Sequence, residues 1–341
     1  MLTMDGNQED SLQASSTILE VKNLTITYKF SNYSIKVVNR ANIHVMKGEK
    51  VGIVGESGSG KTSLATAISG LMDSPPAIHN SGRIFFDGRE ITPILSPERN
   101  KNGVLGLNMV FQEPLTSLNP VYKVRDQLLE SMIACGLVKK DDKNSVSQGI
   151  DRIKEMLGEL SIDSPEKVIE KFPHELSGGM RQRIAIALAL LQKPRLVIMD
   201  EPTTGLDTIV QVKLLKLLSR MQSETGLSLI IITHDLTVAA QICDRIYVMY
   251  AGKIVEYGRT STIIKSPKHP YTSLLLSSIP SGFYDSPPLP SMRGDPPDMR
   301  NIPMGCAFSP RCPFAFDRCQ MSEPEIAVLE NNQGVACFLY E

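Results

Sequence analysis

The chain has 341 residues, 42% apolar and 21% charged, with 36 Lys+Arg against 37 Asp+Glu and a formal net charge of −1. At roughly 150 residues per domain this predicts about two domains with full cores, which excludes a disordered chain and a stapled mini-protein. So even a charge balance excludes an overall nucleic-acid footprint. No apolar run nears the eighteen or so residues of a membrane span.

Residues 1–16 are polar and carry acids, without the basic and apolar regions of a secretory leader. They predict a flexible tail on a chain that stays in the cytosol. From Ile18 the runs ILEVKNLTITYKF, VVNRANIHVMKG and EKVGIVG read as strands broken by turn residues. Between about 50 and 260, buried strands at Val51–Val54, Leu196–Met199 and Leu229–Thr233 mix with helical stretches, predicting an α/β domain with a largely parallel sheet. Residues 120–175 are helical in period and charge-rich, and read as an inserted helical subdomain. The last 78 residues hold twelve of the 22 prolines and four of the six cysteines. They predict a loop-rich appendix with a small core that needs a staple.

Gly55-Glu56-Ser57-Gly58-Ser59-Gly60-Lys61-Thr62 fits the pattern G-x-x-x-x-G-K-S/T at every position, between a strand and a helix. Glycines let backbone N–H groups turn around an anion, and the helix N-terminus adds about half a positive charge. Lys61 is expected to reach the β- and γ-phosphates, and the Thr62 hydroxyl to sit on Mg²⁺. Gly55, Ser57, Gly58, Ser59, Gly60, Lys61, Thr62 and Ser63 are thus the candidate phosphate-binding residues. The strand LVIM ends in Asp200-Glu201. Ligands of open α/β sheets lie beyond the carboxyl ends of strands, so these acids are expected to face the phosphate loop, Asp200 on Mg²⁺ and Glu201 polarising an attacking water.

Leu176-Ser177-Gly178-Gly179-Met180, followed by RQRIAIALAL, resembles the signature of ABC-type ATPases. Physically it is a second helix N-terminus, with Ser177 as cap and Gly178 and Gly179 exposing amides to a phosphate. The helix is expected to run to Lys193, before Pro194. The resemblance implies further roles. Gln112 corresponds to a glutamine that senses Mg²⁺ and water. Asp207 lies in the loop after the carboxylates, and His234 matches a histidine that touches the γ-phosphate. Tyr28, 33 residues before Lys61, matches an aromatic that stacks on adenine, with Tyr33 as the fallback. The implied fold is a P-loop NTPase of the ABC ATPase type, with an antiparallel β subdomain and an inserted helical subdomain. The implied boundaries are 17–263 for the nucleotide-binding domain, with the helical subdomain at about 113–180, and 264–341 for a C-terminal extension.

FQEPLTSLNP (111–120) and HPYTSLLLSSIP (269–280) narrow the resemblance to the oligopeptide/dipeptide importer branch. Two departures stand out: NGVLGLNMVFQ lacks an arginine-rich approach to Gln112, and Gln333 and Phe338 stand where the branch often has histidine. Cys306, Cys312, Cys319 and Cys337 have the spacing C-x5-C-x6-C-x17-C, which is not a paired zinc knuckle. Zinc, free thiols and disulfides stay open on the residues alone. The resemblance implies a 4Fe–4S cluster on the four thiolates. Cys135 and Cys243 are expected to be buried apolar fillers.

The expected function is that of the ATP-hydrolysing subunit of an ABC importer that powers di- and oligopeptide uptake, peripheral on the cytoplasmic face of the membrane. The implied partners are a second, related but non-identical ABC ATPase subunit, two membrane permease subunits and an extracytoplasmic substrate-binding protein, with no nucleic acid. The alternatives are oligosaccharide or nickel import in the same branch, a soluble ABC ATPase unlinked to transport, and a P-loop kinase or GTPase. The last is disfavoured because no guanine-reading N-K-x-D motif occurs.

Overall fold

The computed structural model describes residues 16–92, 104, 106–113, 117–277 and 294–341. The expected tail, apart from Ser16, lies outside the described residues, as do residues 114–116 and 278–280 of the two branch-specific stretches. The chain forms two compact units, residues 1–103 with 231–341, and residues 104–230.

The first unit begins with β1 (Thr17–Lys29), β2 (Ser34–Met46), β3 (Lys50–Val54), α1 (Lys61–Ser69), β4 (Ala77–Phe86) and β5 (Arg89–Glu90). An antiparallel sheet runs in the order β2-β1-β4-β5. Its strands bury alternate residues: Leu19, Val21, Leu24 and Ile26 from β1, and Ala41, Ile43 and Val45 from β2. A bulge between Val21 and Leu24, with Asn23 at φ 49°, keeps Leu24 and Ile26 on the buried face after the period-two pattern breaks. β3 is buried at four of its five positions, as a strand covered on both faces must be. α1 stops at Gly70, which takes the left-handed conformation while the N–H of Leu71 returns to the Thr66 carbonyl at 2.9 Å.

In the second unit, β6 (Leu107–Val110) pairs in parallel with β7 (Leu196–Asp200). Between them lie α2 (Val124–Ala134), α3 (Lys143–Glu159), α4 (Pro165–Val168) and α5 (Gly178–Leu191), and α6 (Thr208–Thr225) follows β7. The apolar run Ile184–Leu191 is the interior part of α5, buried at seven of eight positions; a helix apolar all round belongs in a core. Among the described residues no helix is long and apolar enough to cross a membrane. α5 ends two residues short of Lys193, which adopts φ 51°. Cys135 corrects its expectation: it caps the end of α2, is exposed, and its thiol reaches Gln192 Oε1 at 3.5 Å.

β8 (Ser228–Thr233) leads back to the first unit, followed by α7 (Leu236–Ile242), β9 (Arg245–Tyr250) and β10 (Lys253–Arg259). β9 lies parallel to β3, and Ala251-Gly252, at φ 46° and 81°, make the two-residue hairpin into β10. Cys243 follows α7 and is buried as expected; burial drives its thiol far above the usual range.

After α8 (Thr260–Lys265), the extension holds α9 (Pro270–Ser277), α10 (Asp317–Met321), β11 (Ala327–Val328) and β12 (Gly334–Val335). It is not an appendix. β12 adds to the edge of β10 and β11 to β12, so the strand order in this unit is β11-β12-β10-β9-β3. The edge of β10 is thereby paired. Beneath this edge Glu256 is fully buried and accepts from the Lys268 N–H (2.7 Å), the His269 N–H (3.0 Å) and Gln333 Nε2 (2.7 Å). Three donors are enough to hold a buried carboxylate.

Candidate functional site: two helix N-termini

In the first unit, the loop between β3 and α1 wraps back on its own lysine. Lys61 Nζ donates to the carbonyls of Gly55 and Glu56, both at 2.8 Å, and to Ser59 Oγ at 3.4 Å. The loop is tight from outside as well. The Gly252 N–H donates to the Ser59 carbonyl at 2.8 Å. Gly60 sits at φ 101°, and a Cβ there would meet the Val37 carbonyl oxygen at 2.2 Å. Only glycine fits. Gly60→Ala is therefore expected to shift neighbouring backbone and cost about 2 kcal/mol or more of stability, read as a lowered midpoint in urea unfolding.

Gly58, at φ 79°, faces open space: a Cβ there would meet nothing within 4 Å. Ser57, Gly58 and Thr62 are exposed, while Ser59 and Lys61 are buried. The result is an open turn of backbone ahead of a nine-residue helix, with a cation at its root, which suits a polyphosphate and its magnesium. The Tyr28 hydroxyl donates to Ser63 Oγ at 3.2 Å, tying the end of β1 to the first turn of α1. Tyr33 and Phe30 form an exposed ring pair with centroids 4.8 Å apart. His234 is exposed just past β8.

In the second unit, Asp200 closes β7 and Glu201 follows, both buried. Glu201 takes φ 50°, uncommon for a residue with a Cβ. Its carboxylate accepts from the Thr204 hydroxyl at 3.1 Å, and its carbonyl accepts from the Thr204 N–H at 3.2 Å. Gln112 is exposed beyond β6.

The same unit holds the second helix N-terminus. Ser177 Oγ accepts from the Met180 N–H at 3.3 Å, capping α5. A Cβ on Gly178 would meet nothing within 4 Å, whereas one on Gly179 would lie 3.4 Å from Leu206. The loop Gly205-Leu206-Asp207 thus packs against the signature, and Asp207 in turn caps α6, accepting from the Val210 N–H at 2.9 Å. Arg183, one turn into α5, was not singled out by the sequence motif. It donates to the Gly179 carbonyl at 3.1 Å and to the Leu160 and Ser161 carbonyls past the end of α3. Burial lowers its guanidinium pKa, opposed by the nearby Asp207 and Asp163. This brace is visible only in three dimensions.

The cysteine expectation is corrected. Cys306, Cys312, Cys319 and Cys337 are free thiols lining one cavity with His269, Phe308, Phe314 and Phe338. The cavity holds about 20 Å³, the room of a single water. Among the described residues no three His, Cys, Asp or Glu are placed to hold a metal ion. Burial pushes the Cys306 thiol up to about 11 and raises Cys312 and Cys337 as well. Thiols packed among phenylalanine rings act as small hydrophobes. Neither a 4Fe–4S cluster nor zinc fits, and the staple is the sheet addition and the Glu256 network instead.

Comparison with known proteins agrees with this anatomy. The ABC transporter family model matches residues 38–204, and the model for the C-terminal region of oligopeptide/dipeptide transporters matches residues 255–319. The chain is 40% identical over 322 residues to the oligopeptide transport ATP-binding protein OppD of Haemophilus influenzae, covering 94% of this chain and 97% of that one. It is 40% identical over 309 residues to the dipeptide transport ATP-binding protein DppD of the same organism, covering 91% and 92%. A solved dimeric, post-hydrolysis structure of the ATP-binding cassette MJ0796 with ADP and Pi superposes with a TM-score of 0.60 at 25% identity, covering 71% of this chain and 99% of that one. The chain belongs to the ABC transporter family, among its oligopeptide and dipeptide transport ATP-binding proteins. Its fold is that of an ABC ATPase with an antiparallel β-sheet.

Proposed function

We propose that this chain binds and hydrolyses ATP to power the uptake of di- and oligopeptides through membrane permease subunits. The observation that carries the reading is the loop in which Lys61 Nζ is held by Gly55, Glu56 and Ser59 at the root of an open helix N-terminus. The relatedness to oligopeptide and dipeptide transport proteins over nearly the full chain supports the cargo.

In this reading Gly55–Ser63 cradle the phosphates, Tyr28 lies against adenine, and Thr62, Asp200 and Gln112 hold Mg²⁺, which offsets phosphate charge. Glu201 orients the attacking water, with Thr204 fixing its carboxylate. His234 contacts the terminal phosphate. Ser177, Gly178 and Gly179 offer the α5 amides to the nucleotide of a second, related ATPase subunit, with Asp207 beside them. ATP then closes the pair because the closed state contacts it from both sides and the open state does not. The chain sits peripherally on the cytoplasmic face of the membrane, beneath two permeases that receive cargo from an extracytoplasmic binding protein. The domains on this reading are a nucleotide-binding domain at 17–263, its helical subdomain at about 113–180, and the extension at 264–341.

The test is uptake by vesicles carrying the purified assembly. ATP-dependent accumulation of di- or oligopeptides is expected; accumulation of nickel or oligosaccharide instead overturns the cargo, and no uptake with no ATP turnover overturns the reading. Gly178→Asp separates the two helix N-termini. A Cβ there meets nothing within 4 Å, so the protein is expected to fold with an unchanged melting temperature and to bind ATP. Turnover in the assembly is expected to fall about 10²–10³-fold, the loss typical of spoiling one preorganised amide site.

A further inference from the structure

The phosphate loop is gripped by the C-terminal extension. Arg311, in the short 3-10 turn Ser309–Arg311, donates from both terminal nitrogens to the Glu56 carboxylate, at 2.7 and 3.0 Å. Its side chain is only 6% exposed. It is further held by the Tyr250 hydroxyl at 3.3 Å. The Glu56 N–H donates to the Tyr271 hydroxyl at 2.8 Å, and Tyr271 is fully buried. Tyr250, Tyr271 and Phe308 pack ring to ring behind the pair, with centroids 4.6–5.4 Å apart.

Glu56 is thus held at three points: its N–H by Tyr271, its carboxylate by Arg311, and its carbonyl by Lys61. Two of the three come from the extension. The extension does not need this grip to stay attached, because β12 pairs with β10 and Glu256 ties Lys268, His269 and Gln333. An ion pair with one partner buried and the other a quarter exposed adds little net stability. An anion-binding loop, on the other hand, carries a fixed negative charge at Glu56 that opposes an incoming polyphosphate unless it is neutralised.

We propose that Arg311, seconded by Tyr271, is a positioning residue of the nucleotide site: it cancels the Glu56 charge and fixes the peptide whose carbonyl orients Lys61. This rests on the reading that the loop binds ATP. The extension is therefore part of the nucleotide-binding apparatus, and the ATP affinity of this subunit depends on how the extension is seated.

The test is the Kd for ATP of the intact chain and of its variants. Wild type is expected to bind; if it does not, the ATP reading itself fails. Arg311→Gln is expected to weaken ATP about tenfold. Adding Glu56→Gln to that variant is expected to restore affinity to within threefold of wild type, since the stranded charge is gone. A merely structural arginine predicts no such rescue. Tyr271→Phe keeps the ring but leaves the Glu56 N–H unpaired, and is expected to weaken ATP about threefold. Arg311→Gln within twofold of wild type overturns the inference, as does a loss that Glu56→Gln leaves in place. Should Arg311→Gln not fold, an unchanged Kd in Tyr271→Phe overturns it.

Discussion

Glu201→Gln is expected to cut ATP turnover by about 10²–10⁴-fold while leaving the Kd for ATP within threefold of wild type. The first number is the usual contribution of a side chain that assists proton transfer. The second follows from the shape of the site. Glutamine is isosteric, and its amide oxygen still accepts from the Thr204 hydroxyl that holds Oε2 at 3.1 Å. The left-handed turn at Glu201, which the Thr204 N–H closes on the Glu201 carbonyl, involves no side-chain charge. What is lost is the carboxylate's ability to draw a proton from water. Steady-state phosphate release and equilibrium nucleotide binding, measured on the same preparation, read the two quantities separately. Full turnover in the variant refutes the assignment of Glu201 as the water-orienting group.

Lys61→Ala is expected to fail one step earlier, at binding. Lys61 is buried, and its ammonium holds two loop carbonyls and a hydroxyl. Removing it takes a positive charge from the phosphate site and leaves the Gly55 and Glu56 carbonyls with nothing between them and the incoming oxygens. A hydrogen bond to a charged group contributes about 1.5–3 kcal/mol, so affinity is expected to fall about 10- to 150-fold. Lys61→Arg is expected to fail similarly, because a planar fork cannot replace a point charge enclosed by three acceptors. Calorimetric titration with ATP distinguishes this variant from Glu201→Gln, which binds and does not turn over. Tight binding by Lys61→Ala overturns the phosphate-loop assignment.

Much of this site was legible along the chain because each half is local. A glycine-rich turn between a strand and a helix spans eight residues, Gly55–Thr62, and the capped helix start spans five, Leu176–Met180. Gly60 is required by a carbonyl 2.2 Å from its missing Cβ, and the consequence of that contact, a glycine, is visible in the motif. Ser177 as the cap of α5 was predicted from local preference, and the Met180 N–H confirms it. The contacts of Arg183, Tyr271 and Arg311 were not legible, although the first two lie in the motif stretches RQRIAIALAL and HPYTSLLLSSIP. Their partners lie 22, 215 and 255 residues away, and no spacing rule links such distances.

The cysteines show the opposite failure. The spacing of four thiols within 32 residues left zinc, free thiols and disulfides open, and the 4Fe–4S cluster came from the family resemblance; ligation depends on where the fold places the sulfurs. In the fold they line a cavity of about 20 Å³ beside three phenylalanines, and burial keeps Cys306 protonated to about 11.

By itself, then, the sequence determined the class of chemistry, since backbone amides at a helix start need only short-range glycine, serine and lysine to form. It also determined the α/β pattern, because strand and helix periodicities are local. Only the tertiary structure decided how the described part of the last 78 residues is joined to the rest of its unit. Strand addition at β10, the Gln333 donor on Glu256 and the Arg311–Glu56 pair each join residues far apart in the chain. Such contacts arise when burial leaves a polar group no partner but the one the fold brings to it.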